Sequence, residues 1–242
     1  MRSALRILLC VLLLSGCVLD KSCSPSVKPK ENSPTIFFIL GFLDEYFGRR
    51  IEKKGDFIEH FYCNEQEKAL LFENYLYKLK TEAGIDTLIR KKLQPCEKQD
   101  EAHTFFYSAE LKKLINSYYK FRFRRQGWGQ NDKIKYKKVA EAFIRKDIFK
   151  NSQTRKLAYL TGAYCRYGSG NSFVFANADH KVILIIDLLN DLGCLSITLE
   201  TSPTIPRIHK IYFQPTEMVR ECLSGPWFED TLISVFSLSY LN

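Results

Sequence analysis

Four residues with metal-ligand chemistry, His60, Cys63, Cys96 and His103, have spacings that a zinc site tolerates, starting with a His-x2-Cys pair. A disulfide between Cys63 and Cys96 accounts for the same cysteines with fewer partners, so the sequence is read as holding no metal and needing no cofactor. A second group, Asp179, His180, Glu200 and His209, has the acid and base side chains of a hydrolase, provided that the fold brings them into one cleft. Ser117-x-x-Lys120 followed by Ser169-Gly170-Asn171 has the order of a serine acyl-transfer site, but no Lys-Thr-Gly follows. No catalytic residue is assigned, and the expectation is of a non-catalytic protein.

Binding chemistry is concentrated elsewhere. From Glu110 to Lys156 there are fifteen lysines and arginines against four acids, in a chain of 242 residues with a formal charge of +9. Within that stretch YYKFRFRRQGWG (118–129) alternates aromatic with cationic side chains. As a strand it would present Tyr119, Phe121 and Phe123 on one face and Lys120, Arg122 and Arg124 on the other. Guanidinium forks grip phosphate or carboxylate, and rings stack on bases or sugars. Lys120, Arg122, Arg124, Arg125 and Trp128 are the candidate binding residues for an anionic surface.

The first residues look like an export leader: Arg2 and Arg6, an apolar run from Ile7 to Leu14, then small residues. The run is too short to cross a bilayer as a helix. Leu14-Ser15-Gly16-Cys17 resembles the lipobox of bacterial lipoproteins. That resemblance implies diacylglycerol on the Cys17 thiol, cleavage just before it, and Cys17 as a palmitate-bearing membrane anchor. Val18, where aspartate would retain the protein in an inner membrane, implies the outer membrane of a two-membrane cell envelope. The partners expected on this reading are membrane lipid and an anionic envelope polymer, with nucleic acid the least available after export. An envelope-anchored binding or structural lipoprotein is the leading expectation, and a cell-wall hydrolase the enzymatic alternative.

A second resemblance points elsewhere. LTGAYCRYG (160–168) is similar to the helix that names the LAGLIDADG homing endonucleases, matching at Leu160, Gly162 and Gly168, and DLLNDLG (187–193) resembles a helix ending that often follows. The family holds metal with an acid just before the last glycine. Here Tyr167 stands in that place and Cys165 in the place of the earlier acid, so the resemblance implies an α+β shape and a degenerate nucleic-acid binder.

Such residues need elements to position them. Helical periodicity is read over 65–80, 103–120 and 133–149, then over 155–165, 179–193 and 215–225, with strands over 173–178, 194–200 and 207–213. The expected fold is α+β, with a helical N-terminal layer and a small mixed C-terminal α/β unit. Its expected parts are a signal peptide (1–16), a lipidated cysteine and Pro-rich tether (17–34), a mainly helical region (35–153) and a small α+β region (154–242). No internal repeat stands out. Beyond Cys10 and Cys17, six cysteines remain for disulfides: Cys23, Cys63, Cys96, Cys165, Cys194 and Cys222.

Overall fold

A computed structural model describes residues 33–45, 49–50, 55–96, 99–128 and 135–224. Cys17, the leader and the tether to residue 32 therefore lie outside the described residues.

The first helix, α1 (Pro34–Phe42), starts where Ser33 accepts a hydrogen bond from the Thr35 amide at 3.2 Å and Pro34 supplies a helical φ. Every residue from Thr35 to Phe42 is buried. A helix that is apolar all round belongs at the centre of a fold, and α1 is there. Its partner is α4 (Gln153–Tyr167), capped by Ser152. The two cross at glycines. A Cβ at Gly162 would meet the Phe38 carbonyl, and one at Gly41 would meet the Tyr159 carbonyl and come within 2.9 Å of the Ala163 nitrogen. Each glycine faces the residue three positions before the other, which is the signature of a local two-fold relation.

That relation extends outward. After α1 come β1 (Arg49–Arg50), β2 (Phe57–Phe61), α2 (Gln66–Glu82), β3 (Arg90–Cys96), β4 (Gln99–Tyr107) and α3 (Ala109–Asn116). A hairpin, β5 (Tyr119–Trp128) and β6 (Lys135–Ile144), leads to α4. Then follow β7 (Gly168–Ser169), β8 (Ser172–Ala176), α5 (Asp179–Asp191), β9 (Leu195–Thr201), β10 (Ile208–Gln214) and α6 (Glu217–Ser224). The order αββαββα thus occurs twice, with the β5–β6 hairpin between. The sheet orders agree: β7-β8-β10-β9 in the second unit and β2-β4-β3 in the first, whose β1 pairs instead with β6. All pairings are antiparallel. The fold is α+β, and it contains the internal repeat that the sequence did not reveal.

One core joins the two units, with Phe61, Phe72, Leu76, Phe106 and Ile115 from the first and Phe173, Phe175, Ile185, Leu189 and Ile211 from the second around α1 and α4. Two segments expected as helices are strands over much of their length. In 103–120 the register is period two through Tyr107, with Thr104 and Phe106 buried and His103, Phe105 and Tyr107 half-exposed; Ser108 then caps α3. In 133–149 the chain runs as β6 against β5 and then a 3-10 turn (Lys146–Phe149). Aromatic and β-branched residues suit a half-buried pleated surface, and here that preference outweighs helical spacing.

Candidate functional site

Where α1 and α4 end, a cavity of about 220 Å³ opens between them, lined by Asp44, Glu45, Tyr62, Glu65, Arg166, Tyr167 and Lys181 among others. Arg166 closes one wall. Its side chain is 2% exposed and lies 3.6 Å from Glu59 and 3.2 Å from Glu65, and it donates to the carbonyls of Phe42 and His60. Glu59 in turn accepts from the amides of Asp44, at 2.6 Å, and His60. Burial opposes the charge on Arg166, yet Tyr167 and the carboxylates of Glu59, Glu65 and Asp44 raise its pKa above the usual value. Lys181, from the first turn of α5, is 1% exposed and donates to the Leu43 carbonyl at 2.6 Å, capping α1. Burial lowers its pKa to about 8. Tyr167 donates to the same carbonyl and to Asp44, and Tyr119 donates to Glu45 at 2.9 Å.

Aligned on Gly41 and Gly162, Asp44 stands opposite Cys165 and Glu45 opposite Arg166, so the carboxylates come from the residues that follow α1 and a guanidinium from the last turn of α4. The counterpart of Tyr167 is Tyr46, outside the described residues. The divalent metal that the LAGLIDADG resemblance implies does not fit this cavity. Cys165 and Tyr167 stand where the acids would be, Arg166 and Lys181 bring two cations, and Glu59 and Glu65 are engaged by the guanidinium. No metal-assisted step follows from such a donor set.

A larger cleft, about 730 Å³, is lined by Ser117, Lys120, Arg122, Phe143, Arg145, Lys146, Lys150 and His180, with Asp147 its one carboxylate. Lys120 and Arg122 of the expected binding segment are exposed on β5, which is a strand as its alternation requires. Tyr119 is buried and Phe121 packs against the core, so these two rings are core rather than stacking platforms; the Phe123 side chain lies outside what is described. Arg124, Arg125 and Trp128 lie in β5 by backbone; their side chains are outside what is described.

The outward face of the β2-β4-β3 sheet holds a feature that sequence reading missed. His60 stacks on Phe105 at 5.3 Å between ring centroids and meets the Tyr62 ring at 4.5 Å; Tyr62 is 5.7 Å from His103, and Phe57 is 5.8 Å from Tyr107. Across the register, Lys92 stands opposite Phe105 and Arg90 opposite Tyr107, with the Arg90 guanidinium 5.5 Å from that ring. The signal was the alternation His-Thr-Phe-Phe-Tyr at 103–107, obscured when it was read as the start of a helix.

Of the hydrolase candidates only Asp179 and His209 meet. His209 Nε2 lies 2.7 Å from Asp179 and its Nδ1 3.1 Å from the Thr201 hydroxyl, tying α5 to the sheet. Glu200 alternates to the opposite face, and His180 lies against Phe143 in the basic cleft. Cys63 and Cys96 are joined as a disulfide, while Cys165 and Cys194 are buried thiols and Cys222 is half-buried.

No protein family matches this sequence, and no curated protein matches it. Among solved structures, the chain is similar to mesophilic variants of the homing endonuclease I-DmoI, with 14% identity, TM-score 0.49, and coverage of 80% of this chain and 97% of that one. It is also similar to I-DmoI in complex with DNA and Ca (12%, TM-score 0.47, 78% and 85%) and with DNA and Mn (12%, TM-score 0.47, 79% and 97%). These matches are to an endonuclease and not to an envelope lipoprotein, and the expected membership of the lipoproteins, with membrane lipid as partner and the outer membrane as location, is corrected accordingly; Cys17 itself lies outside the described residues. No helix among the described residues is long and apolar enough to cross a membrane. The low place given to nucleic acid falls with the export reading on which it rested. The expectation of a non-catalytic protein is also corrected: the ligand atoms of Cys63, Cys96 and His103 lie within 4.8 Å of one another, a group of the kind that could hold a metal ion. At these identities and TM-scores the likeness does not carry I-DmoI's activity to this chain.

Proposed function

We propose that this protein binds nucleic acid. The observation that carries the reading is the outward face of β2-β4-β3, where the rings of Phe57, His60, Tyr62, His103, Phe105 and Tyr107 stand beside Arg90 and Lys92. Base–ring stacking contributes about 1–3 kcal/mol per base, and any base provides a face for it. The cleft lined by Lys120, Arg122, Arg145, Lys146 and Lys150 supplies the charge that a phosphate backbone requires.

The test is fluorescence anisotropy with labelled duplex DNA, single-stranded DNA and RNA of mixed sequence over a series of salt concentrations, with heparin as a base-free polyanion. We expect binding that weakens steeply with salt. The Lys120→Gln/Arg122→Gln variant should flatten the log–log salt slope by about two, one for each phosphate no longer neutralised. Phe105→Ala should weaken nucleic-acid binding at least about fivefold, corresponding to the lower end of the stacking range, and leave heparin binding unchanged. Absence of binding to all three nucleic acids, or equal loss of heparin and nucleic acid in Phe105→Ala, would overturn the reading.

A further inference from the structure

The Nδ1 atom of His103 is buried and has no hydrogen-bond partner. A buried polar atom left in that state has lost its water without replacement, and such atoms call for a partner. Two sulfur atoms lie close to the same side chain. Cys63 opens a 3-10 turn (Cys63–Glu65) directly after β2, Cys96 ends β3, and His103 lies on β4 opposite Gln94. Gln94 and Cys96 are two residues apart on one strand, so Cys96 and His103 share a face of the sheet. One ligand atom from each of Cys63, Cys96 and His103 falls within 4.8 Å of the other two. The His60 ring, three residues before Cys63, lies 6.3 Å from the ring of His103.

A disulfide sulfur offers the imidazole nitrogen little. Two thiolates and an imidazole, by contrast, are the donor set that zinc-class cations take, with a fourth ligand to complete the tetrahedron. We propose that Cys63, Cys96 and His103 form a redox-gated metal site: closed as the disulfide when oxidised, and binding one zinc-class divalent cation when reduced, with His60 or water as fourth ligand. The opening step is thiol–disulfide exchange. Two molecules of a small thiol of the glutathione class are oxidised to their own disulfide while the Cys63–Cys96 bond becomes two thiols. Binding the cation then releases the two thiol protons to solvent. In both states the same three positions fasten the β3–β4 hairpin to the end of β2, by a covalent bond in one and by coordination in the other. The proposal does not depend on the nucleic-acid reading, because its readout is metal uptake.

The experiment takes the full chain in metal-free buffer, oxidised and after phosphine reduction, and titrates it with zinc against a chromophoric chelator. Cobalt substitution is followed by its thiolate charge-transfer absorption. We expect one equivalent bound by the reduced chain, none at this site in the oxidised chain, and an intact mass differing by two hydrogen atoms between the metal-free forms. Cys96→Ser and His103→Ala should each weaken binding at least about tenfold, the smallest loss expected when even a supporting group around a metal is removed. His103→Ala leaves every thiol in place, so unchanged affinity in that variant would mean that the cation binds cysteines elsewhere and would overturn the site. No uptake by the reduced wild type would overturn it as well. Should Cys96→Ser fail to fold, His103→Ala and the number of thiolates read from the cobalt spectrum of the wild type decide.

Discussion

Lys181 is a residue whose protonation depends on the fold. It is fully charged in the unfolded chain up to its ordinary pKa of 10.5, whereas burial lowers that value to about 8 in the folded protein. Below about pH 8 the lysine is protonated in both states, and the cost of burying its charge is present in full. Between about pH 8 and 10.5 the unfolded chain binds more protons, so stability rises with pH, by at most roughly 1.4 kcal/mol per pH unit. Urea midpoints at pH 7.5 and 9.5 for the wild type and Lys181→Met test this: the wild type should gain stability relative to the variant at the higher pH. A constant difference between the two proteins would show that the ammonium is not penalised. The ends of the helices also separate what sequence can and cannot reveal. Tyr167 and Cys165 were recognisable as departures from an acidic motif, because type and position suffice for that. The burial of Arg166 with Glu59 and Glu65 was not, because those acids come from β2 and the 3-10 turn, roughly a hundred residues earlier, and only the fold brings them together.

At the scale of elements, the helix crossing is the contact with least tolerance. Gly41 and Gly162 let two backbones touch, and a side chain at either position must push the helices apart. Overpacking a well-packed core costs typically 1–3 kcal/mol, and a branched side chain against backbone should reach the upper end. Gly162→Val is therefore expected to lose about 3 kcal/mol in denaturant unfolding, while Thr154→Val, on an exposed position of the same helix, should change stability by less than about 0.5 kcal/mol. Comparable losses in both would mean that helix propensity, and not the crossing, sets the cost. The sequence made several elements legible. Helices read over 65–80, 155–165 and 179–193 appear as α2, α4 and α5, and strands read over 194–200 and 207–213 appear as β9 and β10 within a residue or so. These have clear periods and capping or stop residues at their ends. The segments 103–107 and 135–144 were misread because lysines and aromatics at mixed spacing satisfy a helical template nearly as well as an alternating one. Strand pairing, which depends on distant partners, decided the outcome.

The whole molecule is two αββαββα units sharing one core, and neither has a complete interior alone. α1 is buried on all sides largely through α4, and Arg166, Tyr167 and Lys181 of the second unit satisfy carbonyls at the end of α1 in the first. Unfolding should therefore be one cooperative event: far-UV circular dichroism and tyrosine fluorescence should give superimposable denaturant curves. A plateau between two transitions would show that the units fold independently. The duplication was hidden in the sequence because the units have diverged nearly everywhere except at the crossing, where close approach of the backbones requires a glycine in each. That unevenness has a consequence for what the molecule can recognise. Two identical chains meeting about a symmetry axis must present the same groups twice, and a ligand that complements them is driven toward palindromy. Here the two halves are covalently joined, and one brings Asp44 and Glu45 to the axis where the other brings Cys165 and Arg166. A partner fitted to such a surface would have a left half unlike its right, and would bind in one orientation only.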